Sequence, residues 1–249
     1  MQGKRRNRRR RWRLLVGALV VLIGAGVIVG IEQLGGGGRH TARGAPVGDV
    51  PPENPRANCD RFRTDQSWGV ANINACRAKN GVGKMRLPSN WGRLTTVERG
   101  FVAINLERVN RGLQPIAGLT ANLDGLAKTG AEQLQDPPFP SRGYGSGGAI
   151  WALAATPLSA NYLWMYDDGP NGFDPNISCT HRGAPGCWLH RDVILLRFGP
   201  LVAGGASVRI QGAYSLAYLI MQGRAQHLTF SWARELHHFR HKPRVERLG

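Results

Sequence analysis

Apolar and polar positions divide the chain into three regimes. Leu14 to Ile31 is an unbroken run of 18 residues without a charged or strongly polar side chain. From Glu32 to Arg56 the chain is Gly, Pro, Ala and isolated charges with no apolar period, which reads as a linker. From Leu94 onward apolar residues recur every three to four positions. Val97, Phe101, Ala103 and Ile104 form one stripe, and Val102, Leu106, Val109 and Leu113 a neighbouring one. Thr95 and Glu98 stand at capping-box spacing ahead of them and Gly112 supplies a stop, so a buried helix is predicted here.

A second helix is predicted from Asn122 to Gln135, with Leu123, Leu126, Ala127, Ala131 and Leu134 inward, and a third from Ser159 to Tyr166. Pro137 to Gly148 and Asn171 to Cys187 read as loops. Three apolar, partly β-branched runs follow, Val193–Phe198, Leu201–Ile210 and Ala213–Met221, separated by Gly-Pro and Gln-Gly, and these predict strands. Helices first and strands later, without βαβ alternation, predict an α+β fold on an antiparallel sheet. Beyond Gln222 the chain turns basic and is expected to be a loosely held, solvated extension carrying His237, His238 and His241.

Charge changes the reading of the first regime. The net charge is +17, yet eight of the 33 basic residues fall within the first 13 positions, leaving 25 against 16 acids. A helix over residues 14–31 spans roughly 27 Å, close to a bilayer core of about 30 Å, and the basic cluster holds its start in the cytoplasm. The expected organisation is a basic cytoplasmic segment (1–13), an uncleaved transmembrane signal-anchor (14–31), a linker (32–58), a disulfide-stapled lead-in (59–93), a folded domain (94–222) and a basic tail (223–249). A single-pass membrane protein with its domain outside the cytoplasm follows, or a secreted one if the signal is cleaved. The residual positive charge favours an anionic envelope polymer or lipid as partner and, with the domain outside, argues against nucleic acid.

Export makes the four cysteines candidate disulfides, and proximity favours Cys59–Cys76 and Cys179–Cys187. The densest chemistry is Gly186 to Leu196, where Cys187, Trp188, His190, Arg191 and Asp192 adjoin. His190 is the candidate base or ligand, Asp167 and Asp168 end the third helix, and Trp164 and Trp188 are candidates for a cleft wall. Gly143 to Gly148 matches G-x-G-x-x-G by letter but lacks the flanking strand and helix that a phosphate loop requires.

Phe101 to Leu113 with its Asn-x-x-Arg pattern before Gly-Leu, then Trp164-Met165-Tyr166, then His190 to Leu195 together resemble the bacterial branch of the CAP superfamily, the cysteine-rich secretory, antigen 5 and pathogenesis-related 1 proteins. The resemblance covers roughly Leu94 to Met221. It implies a three-layer α-β-α sandwich with a central, mainly antiparallel sheet, displayed outside the cytoplasm. Family members that bind divalent metal use two histidines and two acids. His190 falls on one histidine position and Asp167 on one acidic position, whereas Asn122–Gln135 has no histidine and Gly147–Ile150 no carboxylate. His190 and Asp167 therefore remain as weak metal candidates, and no cofactor is expected. The expectation is a non-catalytic binding or structural module of the envelope. The alternative is an envelope-polymer hydrolase with His190 as base and Asp167 as its orienting acid, which gains ground if Glu132, Asp124 or Ser146 also reaches His190.

Overall fold

In the computed structural model, which describes Cys59, residues 69–170, Gly172 and residues 179–240, six helices and five strands follow one another among the described residues. They are α1 (Val70–Lys79), α2 (Thr96–Val109), β1 (Gly118–Thr120), α3 (Ala121–Gln133), β2 (Gly147–Ala154), α4 (Pro157–Tyr166), α5 (Leu189–Ile194), β3 (Leu201–Ile210), β4 (Ala213–Gln222), β5 (Leu228–Ser231) and α6 (Trp232–Glu235). The expected membrane span at residues 14–31 lies outside the described residues. Among those described, no helix is long and apolar enough to cross a membrane.

Local chemistry starts the helices where the spacing predicts. The Thr95 hydroxyl accepts from the Glu98 amide at 3.2 Å, and the Glu98 carboxylate accepts from the Thr95 amide at 2.7 Å. These reciprocal bonds satisfy two amides that the first turn leaves without partners. Thr156 and Ser159 repeat the device at α4, with Pro157 in its first turn, so that helix begins two residues before the predicted Ser159.

The sheet order is β2-β4-β3-β1-β5, with β1 parallel to β3 and every other pair antiparallel, so the fold is α+β on a mixed sheet. Gln211 and Gly212 join β3 to β4 with φ of 48° and 93°, the left-handed pair that suits a two-residue hairpin. On β4, Tyr218 and Ile220 belong to a large apolar cluster while the alternate residues Leu219 and Met221 belong to a second one. Alternation along a strand sends these to opposite faces, so both faces are covered. Core residues of α2, α4 and α5 lie on the first face, and Leu123 of α3 lies on the second.

Two stretches depart from expectation. Val193–Phe198 is not a strand: α5 runs through Ile194, and β3 begins only at Leu201. The chain past Gln222 is not a solvated extension as far as Arg240. β5 pairs with β1, and Trp232, Glu235 and Phe239 are buried.

α3 lies close enough to β3 that only glycine fits between them. A Cβ on Gly204 would sit 2.0 Å from the Leu123 carbonyl carbon, and the Asp124 carboxylate accepts from the Gly205 amide at 2.9 Å. Gly204→Ala therefore lowers the unfolding free energy by about 1–3 kcal/mol in urea titration, because backbone must move to admit the methyl group. Gly125→Ala is the control. A Cβ there meets nothing within 4 Å, and alanine within a helix stabilises by roughly 0.5–1 kcal/mol.

Candidate functional site

The three segments that carry the family resemblance converge. From α2, the Arg108 guanidinium donates to the Ile194 carbonyl at the end of α5 at 2.6 Å and to the Gln114 carbonyl at 2.9 Å. From α5, Arg191 donates to the Met165 carbonyl in α4 and lies over the Tyr166 ring, 6.0 Å from its centre. Asn105 closes α2 onto the next turn, donating to the Ile116 carbonyl at 3.0 Å and accepting from its amide at 2.8 Å. All three side chains are buried, so this junction fixes where α5 starts and hence where His190 sits.

α5 is only six residues long and its cap comes from far away in sequence. Trp188, at φ 67°, turns the chain into the helix, and its amide donates to the Asp168 carbonyl at 3.0 Å. The Asp168 carboxylate then accepts from the His190 amide at 2.9 Å and more weakly from the Arg191 amide at 3.4 Å. Its other oxygen meets His190 Nδ1 at 2.9 Å. One buried carboxylate thus caps the helix and orients the imidazole. The opposite nitrogen, Nε2, stands 3.6 Å from the carboxylate of Asp136, a half-exposed residue just beyond α3. Because α3 and α5 lie on opposite faces of the sheet, this pair links the two helical layers.

Burial of His190 works against a charged ring, but the hydrogen bonds and negative charges of Asp136 and Asp168 outweigh it and raise the imidazole to about 10. A ring held protonated in this way donates from Nδ1 to Asp168 and faces the Asp136 carboxylate with Nε2. In that state it has no lone pair for a metal and none to take a proton as a base. Beside it, burial pushes the Asp192 carboxyl upward, Arg191 pulls it down and Asp168 pushes it up again.

The orienting acid is therefore Asp168 rather than the expected Asp167. Asp167 is the C-cap of α4, its amide donating to the Leu163 carbonyl at 3.3 Å. Trp164 and Trp188 form core rather than a cleft wall, being 1% and 7% exposed. Trp164 donates to the Trp151 carbonyl at 3.0 Å and meets Tyr218 edge-on. Other suggested partners of His190 are engaged elsewhere. Glu132 faces Lys128 at 3.7 Å, and Asp124 holds Gly205 and Thr229. Asp136 lies in the polar break before Pro137-Pro138 and carries no motif, so nothing in the sequence alone points to it.

No family model, curated protein or solved structure matches the chain.

Both cysteine pairs are bridged as proximity suggests, Cys59–Cys76 and Cys179–Cys187, with Cα atoms 5.8 and 4.5 Å apart. Disulfides persist in oxidising compartments, so they fit an extracytoplasmic setting. The divalent-metal set implied by the resemblance does not fit the residues present. His190 and Asp136 offer two donors at most, while zinc sites with catalytic roles take three from the protein. Among the described residues no group of three His, Cys, Asp or Glu side chains is placed to share an ion.

Proposed function

We propose that the chain is a membrane-anchored, extracytoplasmic CAP-like domain, an α-β-α sandwich that serves as a binding or structural module of the cell envelope rather than as a catalyst. The observation that carries this reading is the double engagement of His190 by Asp168 and Asp136. It turns the one residue matching the family's metal position into a structural clamp. Further support comes from the junction of Arg108 with Ile194 and Arg191 with Met165, which brings the segments of the resemblance together. The two disulfides support export. The hydrolase alternative requires a neutral His190 with an accepting nitrogen, which a ring raised to about 10 does not supply at neutral pH.

Calorimetric titration of the full-length chain in detergent with Zn²⁺ and Ca²⁺ tests the proposal. The expected result is no saturable binding at micromolar metal. Micromolar Zn²⁺ binding that disappears in His190→Ala overturns it, because the ring must then be neutral and coordinating.

A further inference from the structure

Exposed acids are confined to part of the described surface. The exposed acids Glu132 and Asp136 belong to the end of α3 and its exit, and Asp192 to α5. A different region is formed by the loop leaving α1 and by the segment of β5 and α6. These two stretches are joined directly: the Ser89 amide and hydroxyl both donate to the His238 carbonyl, at 2.9 and 3.0 Å. Asn90 donates to the Glu235 carboxylate at 3.1 Å. Around this seam Lys84, Arg86, Arg93, Arg234 and Arg240 are all exposed. The acid within it, Glu235, is buried, and nearby Glu98 is committed to the cap of α2. The region is thus a cationic face.

Its position relative to the chain's N-terminal side selects a partner. Cys59, where the expected linker of residues 32–58 ends, is bridged to Cys76 in α1. The Met85 amide donates to the Asn74 side chain of α1 at 2.6 Å and its carbonyl accepts from the same side chain at 3.2 Å, while Arg77 of α1 donates to the Gly83 carbonyl at 2.7 Å, so the segment carrying Lys84 and Arg86 lies along α1. The side of the domain that receives the linker is therefore the side that carries the cationic face. We infer that this face docks on an anionic phospholipid bilayer, the surface from which the chain is tethered. The inference rests on the proposed membrane anchor. A tethered domain meets that surface at high effective concentration, and basic side chains are drawn to anionic headgroups within a Debye length of about 8 Å at physiological salt. Among the described residues of this face no acid is fully exposed to oppose that attraction.

The test uses the full-length chain reconstituted into vesicles of phosphatidylcholine alone or of equimolar phosphatidylcholine and phosphatidylglycerol. Amine labelling is followed by mass spectrometry at Lys84 and at Lys128, which lies on α3 and whose side chain is 67% exposed. Lys84 is expected to label at least about threefold more slowly on anionic than on neutral vesicles, with Lys128 unchanged and the difference removed by molar salt. The variant carrying Arg86→Glu, Arg93→Glu and Arg240→Glu, all at exposed positions, is expected to lose that protection. Equal labelling of Lys84 on the two vesicle types overturns the inference. Equal protection of Lys84 by a soluble acidic polysaccharide does so as well, since the face would then read polyanions rather than a bilayer. If the chain washes off neutral vesicles in carbonate yet keeps Lys84 protected on anionic ones, the anchor fails and the docking face stands.

Discussion

Glu107→Gln lowers the unfolding free energy by about 3–5 kcal/mol, the usual result of removing one member of a buried ion pair. Glu107 has no exposed surface and lies at the centre of a polar knot between α1, α2 and α4. One carboxylate oxygen accepts from Arg77 at 2.8 Å, from Tyr166 at 2.8 Å and from Arg111, and the other accepts from Asn161 at 3.0 Å. Burial alone would raise its pKa, but Arg77 and Arg111, with hydrogen bonds from Arg111 and Asn161, pull it below the usual carboxylate range. Glutamine keeps the shape and removes the charge, so Arg77, 0% exposed, loses its counter-ion and faces an amide that cannot accept every donor aimed at it. Guanidinium denaturation at pH 7 measures the effect. A loss below about 1 kcal/mol would mean that water reaches the knot and solvates the arginines. Wild type should also weaken as pH falls through the lowered Glu107 pKa, because a depressed carboxylate stabilises only while ionised, and the variant should lack that component.

Glu107, Arg108 and Arg111 show why part of this molecule was hidden in the sequence. In an amphipathic reading charged positions mark the solvated side of a helix. Here every residue from Gly100 to Val109 is buried, because α2 is packed between other elements and the charges pair inward. What was legible was local: the capping box at Thr95, the Gln-Gly hairpin, and cysteines close enough in sequence to pair. What was not legible depended on partners remote in sequence. α5 forms where an apolar run predicts a strand because Asp168, 22 positions before His190, caps it, while its own six residues are too few to show a period. Two adjacent aspartates offered no local means of choosing between them, and only the turn after Tyr166 decides that Asp168 faces His190. β2 alternates buried and half-exposed residues along Gly147–Ala154, but the run of loop glycines before it masked where the strand begins.

The clamp on His190 has a pH signature whose sign follows from its direction. Its ring is raised from 6.5 to about 10, so the folded chain holds the proton more tightly than the unfolded one. Stability from a raised group is fully present below the unfolded pKa and is lost as pH climbs through the folded value. Wild-type protein should therefore lose unfolding free energy between pH 6.5 and 10 relative to His190→Gln, by on the order of 2–4 kcal/mol, less than the full shift implies because the side chain is a quarter exposed. Denaturant midpoints at closely spaced pH values for the two proteins isolate this component, since lysines and tyrosines titrate alike in both. Asp168→Asn should shrink the pH-dependent part and also cost roughly 1 kcal/mol at every pH, because the cap of α5 is weakened. Asp136→Asn should shrink it without that constant loss, since Asp136 caps nothing and is half-exposed. A wild-type-to-His190→Gln difference that stays flat across the window would mean that the imidazole is neutral between the two carboxylates. An accepting nitrogen would then be present, oriented by Asp168 and facing Asp136, and base-assisted hydrolysis of an envelope polymer would become the better account of the site.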